Sequence, residues 1–206
     1  MGDLNRTPTF AAALDLWREL IEQAEPRLRM MTDSRTEARP APGKWSKKEL
    51  LGHLIDSASN NHQRFVRAQL EPESVFPGYA QNLWVDAQQY QLRPWRALVD
   101  FWVAYNRHLL HVASRIPEDR WNHSIDLAGQ RLTLVFLVID YVRHLEQHLQ
   151  QVMEHPSQDS TDPILEVRGA GKQIGADEGG HALVARERDG WEEESANNVP
   201  EPPSNL

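Results

Sequence analysis

The sequence contains no cysteine. That excludes disulfides, thiolate metal sites and a cysteine nucleophile. It also lacks a long apolar run. The longest, Leu132 to Ile139, is already interrupted by Thr133 and falls well short of the roughly 20 residues a membrane span needs. Met1 to Arg18 has no basic start followed by an apolar block, so no signal peptide is expected and a cytoplasmic location remains as the default. The chain also carries no net positive charge, and where its charge lies matters more than the formal total of -8. Residues 156–206 hold 11 acidic and 4 basic side chains, which leaves 19 acidic against 18 basic in the first 155. A folded part so close to neutral offers no phosphate-binding surface, which disfavours nucleic acid as a partner. No internal repeat is visible.

What is present suits a globular chain: 40% hydrophobic and 25% charged residues can supply a sizeable core. Apolar residues at helical spacing (Phe10, Leu14, Trp17, Leu20, Ile21 and Leu28) predict a first helix from about Thr7 to Met31, with Thr7 as its cap and Pro8 in its first turn. The stretch Asp33 to Gly43, with two prolines and a glycine, reads as a loop. Ser46-Lys47-Lys48-Glu49 is a capping box and opens a second helix that should run to about Leu70. A long, turn-rich connection follows, with a short helical piece expected around Leu83 to Tyr90. A third helix should span Pro94 to Arg115, a loop with a short extended turn Glu118 to Gly129, and a fourth helix Leu132 to Glu154. The expected fold is all-α: a four-helix bundle with a long crossover, over residues 7–155. The remaining stretch, 156–206, holds 6 of the 11 glycines, 5 of the 13 prolines and a single aromatic, Trp191, so it reads as a disordered acidic tail.

The histidines carry the sharpest signal. At about 100° per residue, His148 lies about 40° from His144, and both sit at one border of the apolar face made by Leu134, Val138, Leu145, Leu149 and Val152. An i, i+4 pair is the spacing at which two imidazoles converge on one cation. The second helix repeats the relation, with His53, Ser57, Asn60 and Arg64 forming a polar stripe beside Leu50, Leu54, Ala58 and Phe65. If the two helices are neighbours, three imidazoles meet and leave coordination positions open, the catalytic arrangement rather than the structural one. Histidine pairs on helices are also common as half-buried decoration, and spacing alone leaves the two readings level. His62 is expected to be exposed, and His108, His111, His123, His155 and His181 to be ordinary surface or loop residues, with His108 the best spare ligand. Arg64 either anchors an anionic substrate group or neutralises a carboxylate. Asp56 is either an outer partner of a ligating imidazole or a solvated carboxylate. Asn61 points into the apolar face and suits a hydrogen bond in the core. Trp45 should staple the entry to the second helix, and Trp84 could line a pocket.

The run from Gly43 through Trp45, Gly52, His53 and Asp56 to Ala58 resembles the second helix of DinB-like proteins, and Asp140 to His148 resembles their fourth-helix signature. The resemblance spans about residues 10 to 154. It implies a DinB/YfiT-type four-helix bundle, often homodimeric, whose histidine triad holds a divalent metal. Carried over position by position, the ligands are His53, His144 and His148. The family's metals include zinc and nickel. Its better understood members use low-molecular-weight thiols such as bacillithiol or mycothiol, as S-transferases or as a maleylpyruvate isomerase.

The expectation is therefore a metal-dependent enzyme of the thiol S-transferase or hydrolase type. The metal would activate a thiol or water towards a small electrophile, and Asn60 and Arg64 would position that substrate. The rival is a non-catalytic stress-response protein that holds metal or a small ligand.

Overall fold

The computed structural model describes residues 9–154. Thr7, Pro8, His155, His181, Trp191 and the expected tail lie outside the described residues. Six α-helices and three short strands follow one another: α1 (Phe10–Arg29), α2 (Asp33–Glu37), α3 (Lys47–Leu70), β1 (Glu73–Phe76), α4 (Gln81–Gln88), α5 (Trp95–Ala113), β2 (Ser124–Leu127), β3 (Gln130–Thr133) and α6 (Leu134–Glu154). The long helices α1, α3, α5 and α6 are the four expected members of the bundle. No helix among the described residues is long and apolar enough to cross a membrane.

Several boundaries differ from the sequence reading for local reasons. The first helix is capped by Thr9, whose hydroxyl accepts from the Ala12 amide at 3.2 Å, so it starts at Phe10 rather than Thr7. The loop expected over 33–43 contains α2. This single turn is tied down by Lys48, whose buried ammonium bridges Asp33 at 2.7 Å and Glu37 at 2.8 Å. The capping box at Ser46 forms as expected: Glu49 N–H donates to Ser46 Oγ at 3.2 Å, and Ser46 N–H donates to the Glu49 carboxylate at 2.8 Å. Burial alone would raise the Glu49 carboxyl, but its bonds to Arg39 and Ser46 hold it below the usual range.

Among the described residues, a small three-stranded sheet is added to the all-α expectation. β2 pairs in parallel with β1 and antiparallel with β3. Four-residue strands are too short for their alternation to stand out in sequence. The β2–β3 hairpin turns through Ala128 and Gly129, both at positive φ (52° and 89°), the geometry of a type I′ connection. Gln130 to Thr133 thus belong to the sheet, and the fourth long helix begins at Leu134 rather than Leu132. The sheet sits where α3 ends. His123 Nδ1–H donates to the Ala68 carbonyl at 2.6 Å and Arg120 to that of Gln69, satisfying acceptors the helix terminus leaves open.

The order of packing positions the site. α1 packs against α5 and α6, and α3 packs against the same two, so α1 and α3 lie across a diagonal. Trp95 Nε1–H donates to the Leu28 carbonyl at 2.7 Å while Trp17 meets Asn106, so α1 and α5 run antiparallel. Asp33 accepts from the Trp95 amide and pairs with Lys48, which sets the starts of α3 and α5 side by side. Lys47 reaches the Val152 carbonyl whereas His53, further along α3, meets His144, so α3 and α6 are antiparallel. The bundle is up-down-down-up. At its centre Asn106 Oδ1 accepts from Trp17 Nε1–H at 3.3 Å and from the Tyr141 hydroxyl at 2.7 Å, while its amide donates to the Trp102 carbonyl. One fully buried amide therefore joins α1, α5 and α6 inside the core.

Candidate metal centre

Three imidazoles meet between α3 and α6. His53 lies in the second turn of α3, and His144 and His148 stand one turn apart on α6. One ring nitrogen from each lies within 4.8 Å of the others. His53 Nε2 and His144 Nε2 face each other at 3.1 Å. The rings pack edge to face, with centroids 5.1 Å apart for His53 and His144, 4.9 Å for His53 and His148, and 4.4 Å for the pair on α6. His53 and His144 are 1% and 7% exposed, whereas His148 is half-buried, so His148 is the most solvent-exposed of the three. The indole of Trp45 lies against the His53 ring at 5.0 Å, which is how the residue that leads into α3 also covers the cluster.

The donor set fits a divalent cation. Two nitrogens each about 2.0–2.1 Å from a metal stand roughly 3 Å apart at coordination angles of 90–110°, close to the 3.1 Å between His53 and His144. His148 Nδ1 lies 2.9 Å from the side-chain oxygen of Gln151. An amide oxygen can only accept, so a bond here would need the proton on Nδ1 and would leave the lone pair on Nε2. All three side chains can then offer Nε2. An all-imidazole set suits borderline metals over calcium or magnesium, which favour oxygen ligands.

The other residues singled out in the sequence are placed elsewhere. Asn60 and Arg64 lie about 10 Å and about 16 Å beyond His53 along the axis of α3. The Asn60 amide donates to the Asp56 carbonyl at 2.9 Å. Arg64 is buried and its guanidinium reaches Asn61 Oδ1 at 3.4 Å, while the Asn61 amide donates to the Ser57 carbonyl. The structure brings the three histidines together, with Asn60 and Arg64 attached two and three turns further along α3. Asp56 is not solvated. It is buried under the crossover, and its Oδ1 accepts from the Tyr90 hydroxyl at 2.7 Å and from Gln88 Nε2 at 3.0 Å. Burial raises its carboxyl above the usual range, although both hydrogen bonds pull the other way.

His62 is not exposed as expected. It is half-buried between α3 and α5, with Nδ1 3.2 Å from the Tyr105 hydroxyl and its ring 5.1 Å from that of exposed His108. Burial, and then His108, lower its pKa. Trp84 packs on Tyr79 in the crossover at 5.1 Å. The residues missed by sequence reading are Gln151 and the pair Tyr90 and Gln88. Gln151 carries a usable signal, since it stands one turn beyond His148 on the same face of α6.

The family model of the DinB superfamily matches residues 16–152, the whole span of the bundle from the second turn of α1 to the last turn of α6. The chain belongs to the DinB superfamily. Two solved structures resemble this DinB protein. YfiT from Bacillus subtilis, described as a probable metal-dependent hydrolase with an unusual four-helix bundle topology, superposes with a TM-score of 0.65 at 15% identity. The match covers 75% of this chain and 90% of that one. A mycothiol-dependent maleylpyruvate isomerase superposes with a TM-score of 0.59 at 17% identity, covering 70% of this chain and 61% of that one. At these identities the likeness speaks to the fold. No curated protein matches the chain in sequence.

Proposed function

We propose that this DinB protein holds a divalent cation, zinc or nickel, on His53, His144 and His148, and that it is an enzyme acting on a small electrophile. The observation that carries the reading is the convergence of three imidazole nitrogens within 4.8 Å, two of them from rings almost wholly removed from solvent. A cation bound there would supply Lewis acidity, lowering the pKa of a thiol or water that takes an open coordination position. The chain's own part is to hold and shield. His53 and His144 come from antiparallel helices that the core fixes, and Trp45 keeps water off the His53 ring. Substrate would enter beside half-buried His148. Asn60 and Arg64 stand two and three turns beyond His53 along α3, so in this reading they would position the part of a substrate that extends away from the metal.

A low-molecular-weight thiol is the co-substrate this reading favours over water. Its support is that one of the similar structures is a mycothiol-dependent isomerase. The hydrolase reading draws on the other, YfiT. The rival from another class is a protein that holds metal or a ligand without turning it over.

Metal content decides the first step. The purified protein should contain, or after chelator treatment take up, about one zinc or nickel per chain, the load of a single three-histidine site. A His144→Ala, His148→Ala double variant should take up none. A wild type that stays metal-free after reloading would sink the reading. With metal loaded, turnover of a chlorinated aromatic or an epoxide only when a thiol is added marks a transferase. Turnover without thiol marks a hydrolase, and no turnover of either marks a binder.

A further inference from the structure

We propose that Gln151 is a positioning residue for the metal centre, locking His148 in the tautomer that turns Nε2 towards the other two imidazoles. The inference rests on the metal-binding reading above and adds to it an outer partner and a stated chemical task. A free imidazole divides its proton between two nitrogens, and only the bare one can ligate. Gln151 Oε1 stands 2.9 Å from His148 Nδ1 and can only accept, so the proton is held at Nδ1. The nitrogen left bare is the same one that His53 and His144 turn towards each other at 3.1 Å. Both side chains belong to α6 and are three residues apart, so the helix itself sets the spacing. Val152, the next residue on α6, is buried and its carbonyl is held by Lys47 of α3, which fixes the backbone that carries Gln151.

The choice of an amide has a consequence of its own. A carboxylate in this place would draw on the Nδ1 proton more strongly and make the ring a more basic ligand. The neutral amide orients the ring without adding negative charge, so a cation here keeps more of its own charge for whatever binds in the open position. Gln151 thus sets both the direction of His148 and how strongly it donates.

The test uses the full chain, as wild type, Gln151→Leu and Gln151→Glu. Each is titrated with zinc against a chromophoric chelator, and the metal-free proteins are compared by thermal melting and by imidazole nitrogen NMR. Leucine should weaken zinc binding by roughly 10–100-fold, the usual effect of losing an outer partner, and should leave metal-free melting unchanged. Glutamate should restore the affinity to wild-type level or above. In the metal-free wild type the His148 signals should report a proton on Nδ1, and in the leucine variant a mixture of tautomers. Equal zinc affinity for wild type and leucine variant, or a wild-type His148 protonated on Nε2, overturns this inference and leaves the metal reading standing. A wild type that takes no zinc overturns both.

Discussion

Asp56 shows how much a single buried side chain depends on residues far from it in sequence. Its Oδ1 is well served by Tyr90 and Gln88, yet burial still lifts its carboxyl above the ordinary range. The folded state therefore prefers the protonated form more than the unfolded chain does. Between the unfolded pKa, about 4, and the raised folded value, the native state binds more protons, so this group's contribution to stability falls as pH rises. An Asp56→Asn variant should lack that fall. Its stability relative to wild type should increase from about pH 4 upward and level off once the wild-type carboxyl has ionised, as read from urea unfolding at a series of pH values. A difference that stays flat across that range would show that Asp56 does not titrate differently on folding. Nothing in the sequence near Asp56 announced this, because its partners are 34 and 32 residues away. The histidines were legible because two of the three are one helical turn apart.

At the scale of elements, the crossover between α3 and α5 is held to α3 by close contact. Gly52 has no side chain where the Tyr90 ring lies: a Cβ built there would stand 2.1 to 2.5 Å from three ring atoms. A Gly52→Ala substitution must move the ring, and with it the hydroxyl that serves Asp56. We expect it to cost about 1–3 kcal/mol, the usual range for overpacking a filled site, despite the better helix propensity of alanine. A denaturant midpoint equal to that of wild type would show that the crossover can shift freely. The long helices were legible to within about three residues at each end, and α3 almost to the residue, since α3 carries its own capping box and the four apolar faces repeat over five or more turns. The single turn of α2 and the four-residue strands were not. Their stability comes from partners such as Lys48 and from pairing with distant strands, not from any pattern of their own.

For the whole molecule, the up-down-down-up order makes α3 and α6 neighbours and so places His53 beside a pair on the last long helix. A cation bound to the folded state alone would stabilise the entire bundle by mass action. At free zinc about 100 times the dissociation constant, the gain is about 2.7 kcal/mol. That corresponds to a rise of roughly 5–10 °C in melting temperature for a domain of this size. Calorimetry with and without zinc should show that rise in the wild type and none in a His53→Ala variant. The arrangement of helices was not readable from sequence, because amphipathic faces say that a helix packs but not against which partner.

The distance between the ligands along the chain also sets an order in time. His53 precedes His144 by 91 residues. At about 5–20 residues per second, a ribosome needs on the order of 5–20 s to cover that interval. During it, the first ligand is already made and has nothing to share a cation with. The centre cannot assemble until α6 has emerged and docked, so no cation can be held by all three ligands before the bundle is complete.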